Sequence, residues 1–362
     1  MYFSLGVKEC REDFYDMERE LEMLVHELED PLTRMIVIKG IRRVGKSSLL
    51  KVALSETKMP YLLMDLRAGG PLTPEEFYSY FADALSELLE RNKRIERLLS
   101  RIKGIEIAGF KVELTEKRLF VVRKVLDELD KWARDEKFRV IIALDEAQRL
   151  RFIRGFDKLL AHIYDYHNGL KLVLAGSEVG LLDKLLGKKD SETPLFGRAY
   201  AEIVIDRLSE EKARDFLSKG FRQVGLKVPD DEISDVISKM DGIIGWLTYY
   251  GYYRMRMSHS QAIERTLDGG ARLAAGEFEN FLSMRQIARR RYIEVLKILV
   301  RPSRWVDVKR GLRIALGMSI SDKQISNYLS ELVDYGFVTK VDGRYVVADQ
   351  LLAEAILRGY IR

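Results

Sequence analysis

The sequence predicts an α/β chain built on a parallel sheet, followed by a helical region and a winged helix-turn-helix. Three observations carry that prediction. Residues 36–50 read IVIKGIRRVGKSSLL, in which Gly40, Gly45, Lys46 and Ser47 fit G-x-x-x-x-G-K-[ST], the phosphate-binding loop. Short apolar runs alternate with helical segments up to about residue 205, the order of a parallel sheet with ligands at its carboxyl edge. From Gln286 onward the pattern becomes three helices and a hairpin.

The loop stands where its chemistry needs it. Arg34 to Lys39 is an apolar run rich in Val and Ile, a buried strand, and Ser47 to Ser55 opens a helix. Glycines let backbone N–H groups turn onto phosphate oxygens, and the helix N-terminus adds positive dipole. Lys46 is placed to reach the β- and γ-phosphates, and Ser47 to put its hydroxyl on Mg2+.

Composition bounds the rest. The chain has 362 residues, length for two or three domains, and 47% of them are hydrophobic, enough for sizeable cores. Seven prolines and no low-complexity run argue against long disordered segments. No apolar stretch is long enough to span a bilayer, and the N-terminal run is too short for a secretion signal. A lone cysteine, Cys10, excludes an internal disulfide framework and suits a reducing, cytoplasmic setting. Net charge is +5. From Gln286 to Arg362 there are 14 Lys and Arg against 8 Asp and Glu, a net of +6, which leaves the remainder near neutral. A basic tail on a neutral body points to an acidic partner, nucleic acid first.

Taken in order, Asp13 to Leu28 repeats its leucines at helical spacing. Tyr61 to Asp65 reads as a second strand, and a helical region runs from Pro74 to Lys103. Ile102 to Leu114 alternates around Gly104 and Gly109, a small hairpin, and Glu116 to Asp135 is a further helix. The third sheet strand, Val140 to Leu144, ends in Asp145-Glu146. Two carboxylates at the end of a buried strand are costly unless a cation or polar partner meets them. After a phosphate loop, Asp145 is expected to hold Mg2+ opposite Ser47, and Glu146 to orient or deprotonate the attacking water.

A fourth strand, Leu172 to Ala175, ends in Gly176-Ser177-Glu178. Ser177 is a candidate γ-phosphate sensor, or else a helix N-cap. Arg198, in the loop Pro194 to Arg198, is a candidate arginine finger from its own or a neighbouring subunit. Glu202 to Ile205 closes the sheet. Ser209 to Met284 is helical. The aromatic run Trp246 to Tyr253 reads as packing in that helical core, with base stacking as the alternative. In the tail, Arg289 to Val300, Trp305 to Leu316 and Ser321 to Tyr335 are helices, and Phe337 to Val347 turns at Asp342-Gly343. Such a domain places its third helix in the major groove, with Lys323, Gln324, Asn327 and Tyr328 facing DNA and Lys340 and Arg344 on the wing. The same fold also serves as a protein-docking module.

Together the stretches FYDMEREL, GIRRVGKSSLL, ALDEAQRL, VLAGSEVGLL and PLFGRA resemble the archaeal ATPase family, within the AAA+/STAND group of P-loop NTPases. Arg42, Arg43 and Gln148 are particular to that group. The resemblance implies a sheet of order 5-1-4-3-2, a helical lid and a C-terminal winged helix. It implies ATP or ADP with Mg2+, held by Gly40, Arg42, Arg43, Val44, Gly45, Lys46, Ser47 and Ser48, and makes Arg198 the arginine of a P-L-x-G-R motif. The chain departs from the family at Met17, often arginine, at Ile41, often proline, and at Gly242-Ile243-Ile244-Gly245, where related lids carry G-x-P.

The expectation is a Mg2+-dependent ATPase working as a conformational switch, with an ATPase core over 1–207, a helical lid over 208–285 and a winged helix over 286–362. Two alternatives stay open: an ATP/ADP-dependent DNA-binding regulator with slow hydrolysis, and a winged helix that docks a protein or a second copy. Asp-Glu on the third strand favours water over a small-molecule acceptor, against a kinase. No membrane partner is expected.

Overall fold

Five parallel strands carry the first half of the chain. The computed structural model describes residues 1–67, 71–108, 111–114, 119–188 and 190–362. Helix α1 (Glu18–Glu29) leads into β1 (Met35–Lys39), α2 (Lys46–Glu56), β2 (Tyr61–Asp65) and α3 (Pro74–Arg91). A short α4 (Glu96–Leu99) and a hairpin of β3 (Ile105–Ala108) and β4 (Lys111–Leu114) follow. Then come α5 (Leu119–Asp135), β5 (Val140–Asp145), α6 (Phe156–Tyr166), β6 (Leu170–Gly176), α7 (Val179–Leu185) and β7 (Ala201–Val204).

The sheet runs β2-β5-β6-β1-β7, all parallel. Numbered among themselves along the chain, these five strands read 5-1-4-3-2 from the β7 edge, the expected order. Every residue of β1, β5 and β6 is buried, as strands covered on both faces must be. Leu21, Leu24 and Leu28 of α1 and Leu49, Leu50 and Ala53 of α2 pack on one face. Phe77, Phe81 and Leu85 of α3, with Leu126 and Leu129 of α5, pack on the other. Each such leucine or phenylalanine contributes about 1.5–3 kcal/mol by leaving water.

Local chemistry moves several boundaries. Asp16 and Met17 adopt left-handed backbone, so α1 starts at Glu18 and not at Asp13. Asn92 ends α3 and accepts from the Arg94 amide, breaking the long helix expected through Lys103. Thr73 and Glu76 form the reciprocal cap that starts it. Gly109 and residues 116–118, expected in the hairpin and the next helix, lie outside the described residues.

Beyond the sheet, α8 (Glu210–Gln223), α9 (Asp230–Met240), α10 (Ile244–Arg254) and α11 (His259–Ser283) form the helical region. Trp246 and Tyr250 are fully buried there. The Phe3 ring joins this core and sits where a Cβ on Gly220 or Gly251 would lie 2.3 Å from its atoms. The tail is α12 (Arg289–Ile298), α13 (Trp305–Leu316), α14 (Asp322–Asp334), the hairpin β8 (Val338–Val341) and β9 (Arg344–Val347), and α15 (Gln350–Leu357). Helix α15 adds to the three helices and hairpin expected of the tail. Its Leu351 packs beside Gly270 of α11, so the tail closes back on the helical region.

Candidate nucleotide site

The loop after β1 turns on two glycines. Gly45 caps α2 with φ of 105°, a conformation that disfavours any side chain. A Cβ on Gly40 would stand 2.4 Å from the Ile205 carbonyl oxygen, so the chain passes there only without one. Val44 is buried in the sheet core and holds the loop from beneath. Lys46 is 4% exposed and donates to the Ile41 carbonyl oxygen at 2.7 Å. Burial pushes its pKa down, opposed by the charges of Glu146 and Asp145. Ser48 accepts from the Lys8 amide at 3.0 Å and ties the N-terminal segment to the loop.

Strand β5 delivers the carboxylates. Ser47 Oγ donates to Asp145 Oδ2 at 2.5 Å. Burial first, and the neighbouring Glu146 charge second, push Asp145 up to about 6. Glu146 has left-handed backbone, which turns the chain off the strand end. Its Oε2 accepts from Ser177 Oγ at 2.7 Å and from Gln148 Nε2 at 2.6 Å. Burial works to raise its pKa. The Lys46 charge and these hydrogen bonds outweigh that and hold it below the usual carboxylate value. Ser177 does not cap α7, whose N-cap is Glu178 with no side-chain bond.

The two loop arginines reach outward. Arg42 bonds Glu178 Oε1 at 2.9 Å, lies 3.5 Å from Glu277 of α11, and donates to the Tyr335 carbonyl oxygen at 2.9 Å. Arg43 pairs with Glu277 and stacks over Trp246, 4.2 Å from the ring centroid. Tyr335, at the end of α14, accepts on its hydroxyl from Arg151 at 3.0 Å and Arg285 at 2.9 Å. Phe337 lies under Arg42.

These groups enclose a cavity of about 520 Å³, within the range of small-molecule pockets. Arg42, Arg43, Gly45, Lys46, Ser47 and Ser48 line it, with Glu146 and Ser177 across from them. Asp145 lies beneath through its bond to Ser47. The N-terminal segment, α10 and Tyr335 complete the walls. Sequence reading missed Tyr335, Arg149, Arg151 and residues 4–8, because their part in the site depends on long-range approach. The donor set is hard oxygen, a hydroxyl beside buried Asp145 with the Glu146 carboxylate next to it, and fits Mg2+ with nucleotide phosphates.

Arg198 stands elsewhere. It forms a bidentate pair with Asp165 on the last turn of α6, at 2.9 and 2.5 Å, and also donates to the Pro194 carbonyl oxygen. Asp165 precedes β6 and Arg198 precedes β7, so both lie at the amino edge of a sheet whose carboxyl edge carries the cavity. The same chain does not bring this guanidinium to its own phosphate loop. At that amino edge Asp127, His162 and His167 also gather. The His167 Nε2 and Asp127 bond directly at 2.8 Å and tie α5 to the turn before β6.

On the tail, Lys323, Gln324 and Asn327 are exposed on α14, and Lys340 and Arg344 on the hairpin. Tyr328 is not: it is buried, stacks edge-on against Tyr292 and accepts from Arg291 at 3.0 Å. A period of 3.6 turns that position into the tail's core, so it does not face DNA.

Comparison with known proteins matches both parts of the chain. Residues 14–249 match the family described as an ATPase domain predominantly from Archaea, and residues 286–347 match the MCM protein C-terminal winged helix-turn-helix domain. The structure is similar to a Walker-type ATPase of Pyrococcus abyssi, with 33% identity over 99% of this chain and 100% of that one and a TM-score of 0.79. It shares its fold with the Aeropyrum pernix ORC2 protein in its ADP form, at 13% identity over 98% and 97% of the chains, with a TM-score of 0.51. No curated protein matches. Among the described residues, no helix is long and apolar enough to cross a membrane.

Proposed function

The chain belongs to the family of ATPase domains found predominantly in Archaea, and from that premise we propose a Mg2+-dependent ATPase that works as a nucleotide-driven switch read out by its winged helix. The observation that carries the switch is Arg42. A residue of the phosphate loop bonds the sheet's carboxyl edge at Glu178, contacts the helical region at Glu277 and bonds the tail at Tyr335. A phosphate arriving at that loop competes for the same guanidinium, so nucleotide state and tail position share one contact.

Lys46 and the loop amides bind the β- and γ-phosphates. Ser47 and Asp145 would hold Mg2+, which would supply charge neutralisation on the phosphate oxygens. Glu146 accepts the proton of the attacking water, and Ser177 and Gln148 fix its carboxylate in place. Gly40 and Val44 shape the loop, and Arg43 and Ser48 fasten it to α11 and to the N-terminal segment. Arg198 acts, where it acts on phosphate, in a neighbouring copy. The working units are an ATPase core over 1–207, a lid over 208–285 and an output domain over 286–362, in a cytoplasmic protein.

A second reading is an ATP/ADP-dependent DNA-binding regulator with slow turnover. The exposed Lys323, Gln324 and Asn327, with Lys340 and Arg344, favour it. One experiment separates the two: ATP hydrolysis with and without duplex DNA, alongside salt-dependent DNA binding in ADP and in a non-hydrolysable ATP analogue. Turnover stimulated or unaffected by DNA supports the switch ATPase. DNA affinity that changes with nucleotide while turnover stays slow supports the regulator. Absence of magnesium-dependent nucleotide binding overturns both.

A further inference from the structure

Among the described residues, five arginines line the cavity in addition to Lys46, and four of them are already committed. Arg42 is held by Glu178 and Tyr335, and Arg43 by Glu277. Arg67 pairs with Asp65, and Arg151 with Glu178 and the Tyr335 hydroxyl. The fifth, Arg149, makes no side-chain hydrogen bond or ion pair with any described residue, and its Nε is buried without a partner.

Its backbone is not free to wander. The Arg149 amide donates to the Glu146 carbonyl oxygen at 3.0 Å, within the 3₁₀ turn Ala147–Phe152 that leaves β5. The side chain therefore starts one turn from the carboxylate assigned to the attacking water. A guanidinium presents five donors in a fixed fork. Leaving a buried donor unmet is destabilising, and an anion with several oxygens removes that cost.

We propose that Arg149 is a γ-phosphate ligand acting within its own chain, the positive charge that Arg198 cannot supply from the amino edge of the same sheet. The inference rests on the ATPase reading of this cavity. Burial lowers the pKa of Arg149, with Glu178 and Glu146 opposing, which fits a cation awaiting an anion and not one already paired. In the reaction, water attacks the γ-phosphorus and its proton passes to Glu146. The bond to the β,γ-bridging oxygen breaks, leaving ADP and inorganic phosphate. Negative charge spreads over the transferring oxygens as that happens, and a guanidinium placed there is worth more in the transition state than in the ground state.

The test compares wild type, Arg149→Ala and Arg149→Lys for hydrolysis and for binding of fluorescent ADP and a non-hydrolysable ATP analogue. Arg149→Ala is expected to lower kcat about a hundred- to a thousandfold and to leave ADP affinity within about threefold. Arg149→Lys should fall between, since it keeps charge and loses the fork. Mixing Arg149→Ala with Glu146→Gln tests the chain of origin, and no activity should return. Wild-type kcat in Arg149→Ala, an equal loss of ADP affinity, or recovery on mixing would each overturn the proposal. If wild type itself does not hydrolyse ATP, the ATPase reading fails separately. Arg149 is then judged by whether its removal weakens the ATP analogue about tenfold more than ADP.

Discussion

Arg42 Nη1 donates to the Tyr335 carbonyl oxygen at 2.9 Å across 293 positions of sequence. The bond joins the phosphate loop to the end of α14. Breaking it should loosen the tail: Arg42→Ala is expected to speed limited proteolysis near residues 283–289 and to blunt the effect of ADP on that cleavage. An unchanged pattern with and without nucleotide would uncouple loop and tail.

Lys46→Ala should abolish nucleotide binding, with affinity falling by roughly a hundredfold or more, because a buried charge-assisted contact to phosphate is lost. Calorimetry with ADP and ATP reads this directly. Affinity equal to wild type would move the phosphates away from this loop.

Glu146→Gln keeps shape and hydrogen bonding but cannot take a proton. ATP should still bind, and turnover should fall about 10²- to 10⁴-fold. Wild-type hydrolysis by this variant would assign the general base to another group.

Asp145 gives a pH signature. Its carboxyl is pushed up to about 6 from an ordinary 3.8. The native state thus favours the neutral acid, and the stability this contributes is fully present below the ordinary value and lost as pH rises through about 6. Asp145→Asn should therefore raise nucleotide-free stability by about 3 kcal/mol at neutral to alkaline pH, with the gain shrinking as the pH falls through 6. The same variant should lose magnesium-dependent tightening of ATP binding. Thermal melts at a series of pH values decide it: a gain that stays constant would put the titration elsewhere.

Phe3→Ala should cost about 3–5 kcal/mol, the price of emptying a site shaped by two glycines. It should also weaken nucleotide binding, because the segment Ser4 to Lys8 that Phe3 anchors lines the cavity. A melting temperature equal to wild type would show that this anchor is dispensable.

Much of the site is legible in linear order because its chemistry is local. Gly40, Gly45, Lys46 and Ser47 lie within eight positions, and a strand-loop-helix around them leaves little freedom in where they point. Asp145 and Glu146 end an apolar strand, so a parallel sheet delivers them to the same edge. Alternating strands and helices likewise announce the fold class, and the strand order follows from the resemblance that the loop motifs carry. Boundaries were less legible where one residue decides them, as Asn92 does at the end of α3.

By itself the sequence determined the parallel α/β core, the phosphate loop, the carboxylate pair and a basic winged helix, since periodicity and short motifs are properties of neighbours along the chain. Tertiary structure alone decided that Ser177 and Gln148 brace Glu146, that Tyr328 is core, and that Arg198 sits with Asp165 at the far edge. It also decided which arginines of the cavity are committed and that, among the described residues, Arg149 Nε has no partner. The physical reason is common to all of these. Whether a charged or polar side chain is paired depends on groups tens to hundreds of residues away, and only folding brings those within hydrogen-bond reach.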